Sequence, residues 1–513
     1  MSGSPDPTTA VSVQAALGQP PVTFNVDPLL APVIQRQLTN TITYLVDNPT
    51  PYTPVESSFV VLNPDGTAAG ALPTVPNDYS TAEYVYLTGT VATPGTITLP
   101  NQTIGSNNGF AGMIATFAGS ETVIGGAGQN ALVVTGAETN LTWDPRGGSD
   151  LDSIYAGGGN NNFTLDGTNY SVVVGSGDNT ITAAQNLNPQ TSAYGSNNAI
   201  TTSGGNNLIN LNAGANAVSS GGNDTINVSD AYNQITVTGN AVVSLAAGAS
   251  DNQVSDTGAG MIYANGNGDS ITAGNNTFVV IGGTGTSEAA TLTGSAIGYA
   301  QGNASIDAPG GNYVIFSGNS NVATLGGGSF AYIATGSDTV SAVGSTFIYD
   351  GSGSLDFVGG SEYSLVEAGA GHVTALAGAG GLSAYGGSQG NNSLTGGSGT
   401  NNLYAGGTDD TLTGGSGTNN LHAGPGSTTM IGAANAALNN FVFNSNSAGT
   451  ADVIDGFRTA SDQITLGFGI SVTTQTVTAG NLSLTLSDGT QISMTGITAP
   501  LAATSGWSGT VLT

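Results

Sequence analysis

A nine-residue hydrophobic period is the feature that most constrains the fold of this chain. Near the C-terminus it places apolar residues at Leu394, Leu403, Leu412, Leu421 and Met430, each nine positions after the last. Nine residues are too few for a strand, a helix and a return, but they suit a short strand and a tight turn. Two such units make a coil of eighteen residues whose strands stack in parallel on the next coil. The period therefore predicts an all-β fold, a two-sided parallel β-solenoid of the β-roll or β-helix type.

The same period recurs earlier in the chain. It joins Ile154, Phe163, Val172 and Ile181, and it continues from Ile200 to Val243 in steps of eight or nine. The sequence contains 81 glycines, a composition that is also typical of flexible linkers. A linker has no reason to keep apolar residues at a fixed spacing, so we interpret the glycines as turn residues of the solenoid.

Charge restricts the partners. The 513 residues include 32 acidic residues and only three basic ones, Arg36, Arg146 and Arg458, which gives a formal net charge of -29. Such a surface repels phosphate backbones and anionic lipids, so we expect no nucleic acid partner and no membrane insertion. The start of the chain has neither a basic segment nor a long apolar run, so we expect secretion, if it occurs, without a cleaved N-terminal signal.

Two copies of one motif carry a family resemblance. Residues 396–404 read GGSGTNNLY and residues 414–422 read GGSGTNNLH. They resemble the nonapeptide GGxGxDxUx of the RTX family of secreted calcium-binding β-roll proteins, in which U is a large apolar residue. Asn401 and Asn419 stand where that family has aspartate. The resemblance implies an extracellular protein exported by a type I secretion system, and calcium bound in the turns.

The calcium ligands are implied by the resemblance. They would be the carbonyl oxygens of Gly396, Ser398, Gly414 and Ser416 and the side chains two positions before each inward apolar residue. Those side-chain positions include Asp224, Asp269, Asp338, Asn401, Asp410 and Asn419.

Asparagine is the majority residue at this side-chain position, and an amide oxygen brings no charge to a calcium ion. We therefore expect few and weak calcium sites, and stacked asparagines that bond to one another as in other stacked sheets. Asparagine and aspartate are also common in turns for purely conformational reasons, so the absence of any specific metal site stays open.

The two ends of the chain differ from the repeat, which suggests three segments. Residues 1–84 are an N-terminal cap or connector, in which the apolar spacing from Asp27 to Leu45 predicts one helix. Residues 85–438 form the nonapeptide solenoid. Residues 439–513 form a β-rich cap, in which alternating strands flank the turn at Asp488 and Gly489. This last segment resembles the region that closes RTX repeats and carries their secretion signal.

The sequence offers little for catalysis. The zinc-binding helix of RTX metalloproteases is missing, and the two histidines, His372 and His422, lie in no such motif. We predict no catalytic and no cofactor-binding residue, and we expect a structural protein that assembles with itself into a layer, a filament or a biofilm matrix. A polysaccharide lyase or epimerase, an ice-binding or adhesive solenoid, and a cell-surface polysaccharide as a second partner stay open as alternatives.

Overall fold

A computed structural model gives the fold of the chain. It describes residues 159–165, 170–175, 177–183, 197–282, 288–506 and 509–513, together with ten strands between residues 9 and 156. The chain divides into two compact units, which we call the N-terminal unit, Met1–Ser270, and the C-terminal unit, Ile271–Thr513. The described residues contain no helix that is long and apolar enough to cross a membrane.

The N-terminal unit contains two sheets, to which consecutive strands contribute alternately from Tyr84–Leu87 onward. An antiparallel hairpin, Thr9–Val13 with Val22–Val26, precedes them. The first sheet consists of Phe59–Leu62, Tyr84–Leu87, Phe110–Ala115, Gln129–Val134, Ser153–Ala156, Ser171–Val174, Ala199–Thr202, Ala217–Ser220, Gln234–Val237 and Gln253–Asp256. The second sheet consists of Gly95–Thr98, Gly119–Ile124, Thr139–Asp144, Asn162–Leu165, Thr180–Ala183, Leu208–Leu211, Thr225–Val228, Val242–Leu245 and Met261–Ala264.

The C-terminal unit repeats this alternation, and the strand Ser270–Ala273 lies at the boundary of the two units. Its first sheet consists of Glu288–Leu292, Ala304–Gly310, Val322–Gly327, Ser337–Ala342, Ser354–Val358, His372–Leu376, Ser393–Thr395, Asp410–Thr413, Thr428–Ile431 and Ala451–Asp455. Its second sheet consists of Phe278–Ile281, Ile297–Ala300, Tyr313–Phe316, Ser329–Ile333, Thr346–Asp350, Ser364–Ala368, Gly381–Tyr385, Thr400–Tyr404, Thr418–His422, Leu438–Phe443 and Gln463–Leu466.

Strand pairing follows the period found in the sequence. Leu394 is in register with Leu412, and Leu403 with Leu421, in parallel ladders whose partners are one eighteen-residue coil apart. Most of the strands whose burial is described alternate buried and more exposed residues, as Thr400–Tyr404 does, because successive side chains of a strand point to opposite faces. The predicted all-β parallel solenoid is confirmed.

The core is a narrow column of aliphatic and aromatic side chains between the two sheets. Leu394, Leu403, Leu412, Leu421 and Met430 are all fully buried, as the nine-residue period predicted. Each inward residue lies above its counterpart in the preceding coil, so the apolar contacts are made mainly between sequence neighbours one coil apart.

Antiparallel strands end the C-terminal unit. Asn481–Leu486 pairs with Gln491–Met494 across the turn at Gly489, which confirms the predicted hairpin. Val472–Thr478 adds to that hairpin, and a second antiparallel pair, Ala503–Gly506 with Gly509–Leu512, joins the other sheet. A short 3-10 helix, Ser445–Ser447, connects two of the preceding strands.

The predicted N-terminal helix between Asp27 and Leu45 lies outside the described residues. Phe59–Leu62, within the segment 1–84, forms a parallel pair with Tyr84–Leu87, which begins at the last residue of that segment. At the other predicted boundary, Leu438–Phe443 pairs in parallel with both Thr418–His422 and Gln463–Leu466. Parallel pairing thus extends beyond the stretch in which the nonapeptide is visible.

Close backbone contact between consecutive turns gives a test of the stacking. A Cβ atom at Gly397 would lie 1.9 Å from the carbonyl oxygen of Gly378 in the preceding coil, whereas a Cβ atom at Gly327 would meet nothing within 4 Å. We predict that Gly397→Ala lowers the free energy of unfolding by about 2 kcal/mol or more, because the turns must separate. Urea unfolding followed by circular dichroism measures the change. Gly327→Ala is the control, with an expected effect within about 0.5 kcal/mol; equal stability of the two variants would contradict the stacking.

Candidate cation sites and the side-chain ladders at the coil edges

The side chains predicted to line the turns point into the molecule. Asn401, Asp410 and Asn419 are fully buried, at the start of their strands and two residues before the inward leucines. Each therefore closes one end of the narrow core, just inside the turn. A buried polar group at such a place needs hydrogen-bond partners, because an unpaired one costs about 1–3 kcal/mol.

Stacked amides supply those partners from coil to coil. Nδ2 of Asn401 donates to Oδ1 of Asn419 at 2.8 Å, and Nδ2 of Asn419 donates to Oδ1 of Asn439 at 2.9 Å. Asn419 also bonds its own turn, since Oδ1 accepts from the Gly415 N–H at 2.9 Å and Nδ2 donates to the Gly415 carbonyl at 2.8 Å. The predicted amide ladder is confirmed, and it also fixes the turn backbone to the core.

Two longer ladders run through the N-terminal unit. In the first, side-chain amides donate at 2.9, 2.9 and 2.7 Å along the series Asn161, Asn179, Asn207 and Asp224. In the second, the distances are 2.9, 3.0 and 3.0 Å along the series Asn216, Asn233, Asn252 and Asp269. Every amide donates to the side chain of the following coil, so each ladder has a direction.

Each of these ladders ends in an aspartate on its C-terminal side. The same holds for three runs of the C-terminal unit, whose last members are Asp338, Asp410 and Asp462. Leu355 is in register with Asp338 in the following coil, so an asparagine at position 338 would have no side-chain acceptor there. A carboxylate accepts hydrogen bonds and donates none, which suits the last position of a ladder.

Both carboxylate oxygens of Asp410 accept hydrogen bonds from neighbouring residues. One oxygen accepts from the backbone N–H and from Nδ2 of Asn392, both at 2.8 Å, and the other accepts from Gly406 and Gly407 at 2.7 and 2.9 Å. Four donors satisfy both oxygens without a cation. Calcium bound through Asp410 would have to replace these bonds, so the donor set fits a structural carboxylate better than a calcium ligand.

The remaining predicted ligands lie in the turns beside the ladders. The backbone N–H groups of Gly396 and Gly414 donate to carbonyl groups of the following coil at 2.8 Å, and the Ser416 carbonyl accepts from Ala437 at 3.2 Å. Ser398 bonds the preceding coil through its hydroxyl group, which donates to the Ala379 carbonyl at 3.4 Å. All four residues therefore take part in bonds between coils.

Asp338 differs from Asp410 in the use of its second oxygen. It is buried, its Oδ1 accepts from Nδ2 of Asn321 at 2.9 Å, and its Oδ2 has no hydrogen-bond partner. Asp350, which ends the strand Thr346–Asp350, is also buried and also has an unpartnered Oδ2, while its Oδ1 accepts from Gly353. Burial raises the pKa of Asp338 to about 6, with a contribution from the charge of Asp350, and burial also raises the pKa of Asp350.

The apolar spacing of the sequence does not identify Asp350, because this residue follows an inward apolar residue instead of preceding one. The available signal was an aspartate immediately before a glycine-serine turn, in the segment Asp350–Gly353, where aspartate commonly caps the turn backbone. Asp452 and Asp462, from the motif that resembles the closing region of RTX repeats, are the last inward acceptors of the two sheets.

The pKa values of these two closing aspartates are shifted in opposite directions. Burial raises the pKa of Asp452 to about 6, against hydrogen bonds from Thr450 and Thr428 that lower it. Burial also acts to raise the pKa of Asp462, but hydrogen bonds from Arg458 and Asn439 outweigh it and lower that pKa. The guanidinium of Arg458 lies 2.6 Å from Asp462 Oδ1.

Groups suited to catalysis are scattered in the described part of the chain. It contains no group of three or more His, Asp or Glu side chains that could hold a metal ion. His422 occupies the outward position of Tyr404 in the next coil, as the repeat predicted, and stacks on that ring at 4.0 Å. His372 donates through Nε2 to the Asn391 carbonyl at 2.6 Å.

The outward threonines of the two motif copies form a short row. Thr400 and Thr418 are in register, but Gly381 and Leu438 stand at the same position in the coils on either side. An ice-binding surface needs a long flat array of such hydroxyl groups, and this row spans two coils.

The direction of the ladders predicts the effect of restoring the family residue. Asn419→Asp removes the donor to Asn439 and to the Gly415 carbonyl and places a charge beside both oxygens. We expect it to lower the free energy of unfolding by about 3 kcal/mol or more. Thermal and urea unfolding, with and without millimolar calcium, measure this change. Thr400→Asp adds the same charge at an exposed site of the preceding coil and is the control. A variant Asn419→Asp that calcium makes more stable than the parent would overturn the ladder interpretation.

The raised aspartate pKa values predict a stability that increases in mild acid. A carboxyl group whose pKa is higher in the folded chain than in the unfolded chain stabilises the fold in its neutral form. Its contribution to the free energy of unfolding is therefore fully present below pH 3.8 and is lost as pH rises through about 6. Asp462 acts oppositely, but only as pH falls below the unfolded value of 3.8. We therefore expect the free energy of unfolding to rise between pH 7.5 and pH 5.

Asp338→Asn should remove on the order of 1 kcal/mol of this pH dependence, since solvent near the turn screens part of the buried charge. Urea unfolding at both pH values measures the difference. The control is Asp356→Asn, at an exposed position one coil away. If the two variants keep identical pH dependence, buried Asp338 is not a source of it.

No protein-family model, no curated protein and no solved structure matches the chain. The likeness to the RTX nonapeptide thus rests on the residues of the two motif copies, 396–404 and 414–422. The fold is described by its geometry: a parallel β-solenoid with two sheets and inward amide ladders at the ends of the core.

Proposed function

We propose that this chain is an extracellular structural protein that assembles with copies of itself into a surface layer, a filament or a biofilm matrix. The observation that carries the proposal is that the buried polar groups are hydrogen-bonded from coil to coil. Side chains that resemble metal ligands, such as Asp410 and Asn419, are committed to hydrogen bonds between coils. Such groups make the coils rigid and leave little chemistry for a substrate.

The repetition of the described strands supports the same function. A solenoid presents each outward position again about 4.8 Å further along, so its faces are regular on the scale of an assembly. An enzyme of the lyase or epimerase class needs carboxylates and a basic group that converge on one sugar. The charged pair Arg458 and Asp462 is engaged in closing the core.

In this proposal calcium acts between molecules, whereas in RTX proteins it is bound in the turns of one chain. The net charge of -29 makes copies of the chain repel one another, and a divalent cation reduces that repulsion when it binds exposed carboxylates of two molecules. The resemblance to RTX proteins also suggests export through a type I system and a location at the cell surface. Calcium then assists assembly instead of folding.

Electron microscopy of the purified protein tests the function. In millimolar calcium we expect ordered sheets or fibres, and after chelation we expect them to disperse while circular dichroism still reports the folded β-solenoid, because calcium acts between molecules. Magnesium at the same ionic strength is the control for simple screening. Single particles under every ionic condition, or release of unsaturated sugars from an anionic polysaccharide, would refute the structural role.

A further inference from the structure

The outer face of the second sheet carries aromatic side chains in the C-terminal unit. They lie on seven of the eight consecutive strands from Ile297–Ala300 to Thr418–His422, and the exception is Ser364–Ala368. One row contains Tyr313, Phe330 and Phe347, which are in register, and a parallel row contains Tyr385, Tyr404 and His422. We call the outward side chains of these eight strands the aromatic strip. Tyr313 and Tyr385 remain 39% and 38% exposed, so none of the described residues covers these two rings.

Most neighbouring rings of the strip are stacked along the ladder, whereas Phe330 and Phe347 meet edge to face at 5.1 Å. Ring centroids are 4.2 Å apart for Tyr385 and Tyr404, with 5° between the planes, and 4.0 Å apart for Tyr404 and His422. In the other row Tyr313 stacks on Phe330 at 4.7 Å. Stacked rings hide their faces from solvent and present their edges. A sugar ring binds aromatic residues through their faces, so this arrangement does not favour a glycan.

The strip is also poor in charge. Glu367 is the acidic residue on the outer face of its eight strands, and burial lowers the pKa of His422 to about 4, so that this ring is neutral at pH 7. The outer face of the first sheet in the same unit exposes Asp307, Asp356 and Asp455. For a molecule with 29 excess negative charges, the strip is a face on which a like-charged neighbour meets little repulsion.

The size of the strip fits a protein partner. Eight strands at about 4.8 Å, with outward residues about 7 Å apart along each strand, cover roughly 500–600 Å². Polar outward residues such as Asn402 and Asn420 lie among the aromatic ones, a mixture that is usual for protein interfaces. Two such faces together would bury about 1,000–1,200 Å², which reaches the lower range of specific protein interfaces.

We propose that the aromatic strip is the surface through which two copies of this chain pack face to face. The inference rests on the proposed self-assembling function and names the surface that it uses. Ring edges of one copy would insert between rows of the other, because equal strand spacing makes the two strips complementary. The acidic faces of the first sheets would then point away from each other.

Sedimentation equilibrium of the full chain tests this pairing. Tyr313→Glu with Tyr385→Glu places two charges in the strip, and Tyr313→Ala with Tyr385→Ala removes rings without charge. Ser305→Glu with Thr374→Glu adds the same two charges at exposed positions of the first sheet and is the matched control. We expect the strip charges to weaken dimerisation at least about 100-fold, the alanine pair to weaken it less, and the control to leave it within about threefold of the parent.

Circular dichroism of each variant verifies that it is folded, and the alanine pair keeps the test decisive if the glutamate pair fails to fold. A parent chain that stays monomeric at all concentrations, or strip variants that dimerise like the control, would overturn the inference. Binding of a soluble neutral glucan that the strip variants lose, without dimers, would overturn it in favour of a glycan. Strip-dependent dimers that never build layers or fibres would uphold the strip and refute the proposed function instead.

Discussion

The hydrogen bond between stacked side-chain amides is the interaction on which this solenoid depends. The core is one side chain deep, so its two lateral ends must be closed by groups that also satisfy the turns. An asparagine does both, because its oxygen accepts from the turn or from the preceding coil while its nitrogen donates to the next, as Asn419 does. Apolar residues at the same position would leave the turn N–H groups without partners, at about 1–3 kcal/mol each.

Much of the fold was predictable from the spacing of apolar residues. Leu403 and Leu421 are each nine positions away from Leu412, and this alone places both of them in the sheet opposite Leu412 with their side chains inward. The turn at Gly489 was predictable for the local reason that Asp-Gly favours a tight hairpin turn. What the spacing does not specify is where the series of coils stops, because the closing strands pair in the antiparallel sense.

The site was less predictable, since one residue type serves two purposes. Aspartate two positions before an inward apolar residue indicates calcium in RTX repeats, yet Asp410 accepts four N–H groups here. The distinction lies in the neighbouring coils: Asn392 supplies donors to Asp410, and Leu355 follows Asp338. A single repeat therefore does not identify the role of its aspartate. The buried pair Asp338 and Asp350 was hidden for the further reason that its members come from different strands.

The direction of the ladders bears on how such a chain lengthens in evolution. Duplicating a coil with an asparagine at the inward position inserts one more donor and one more acceptor, so no buried group loses its partner. Duplicating a coil with Asp224 or Asp410 would set two carboxylates in consecutive coils, where neither can donate to the other. Tandem duplication of a coil therefore costs the fold little within the asparagine runs and most at each aspartate.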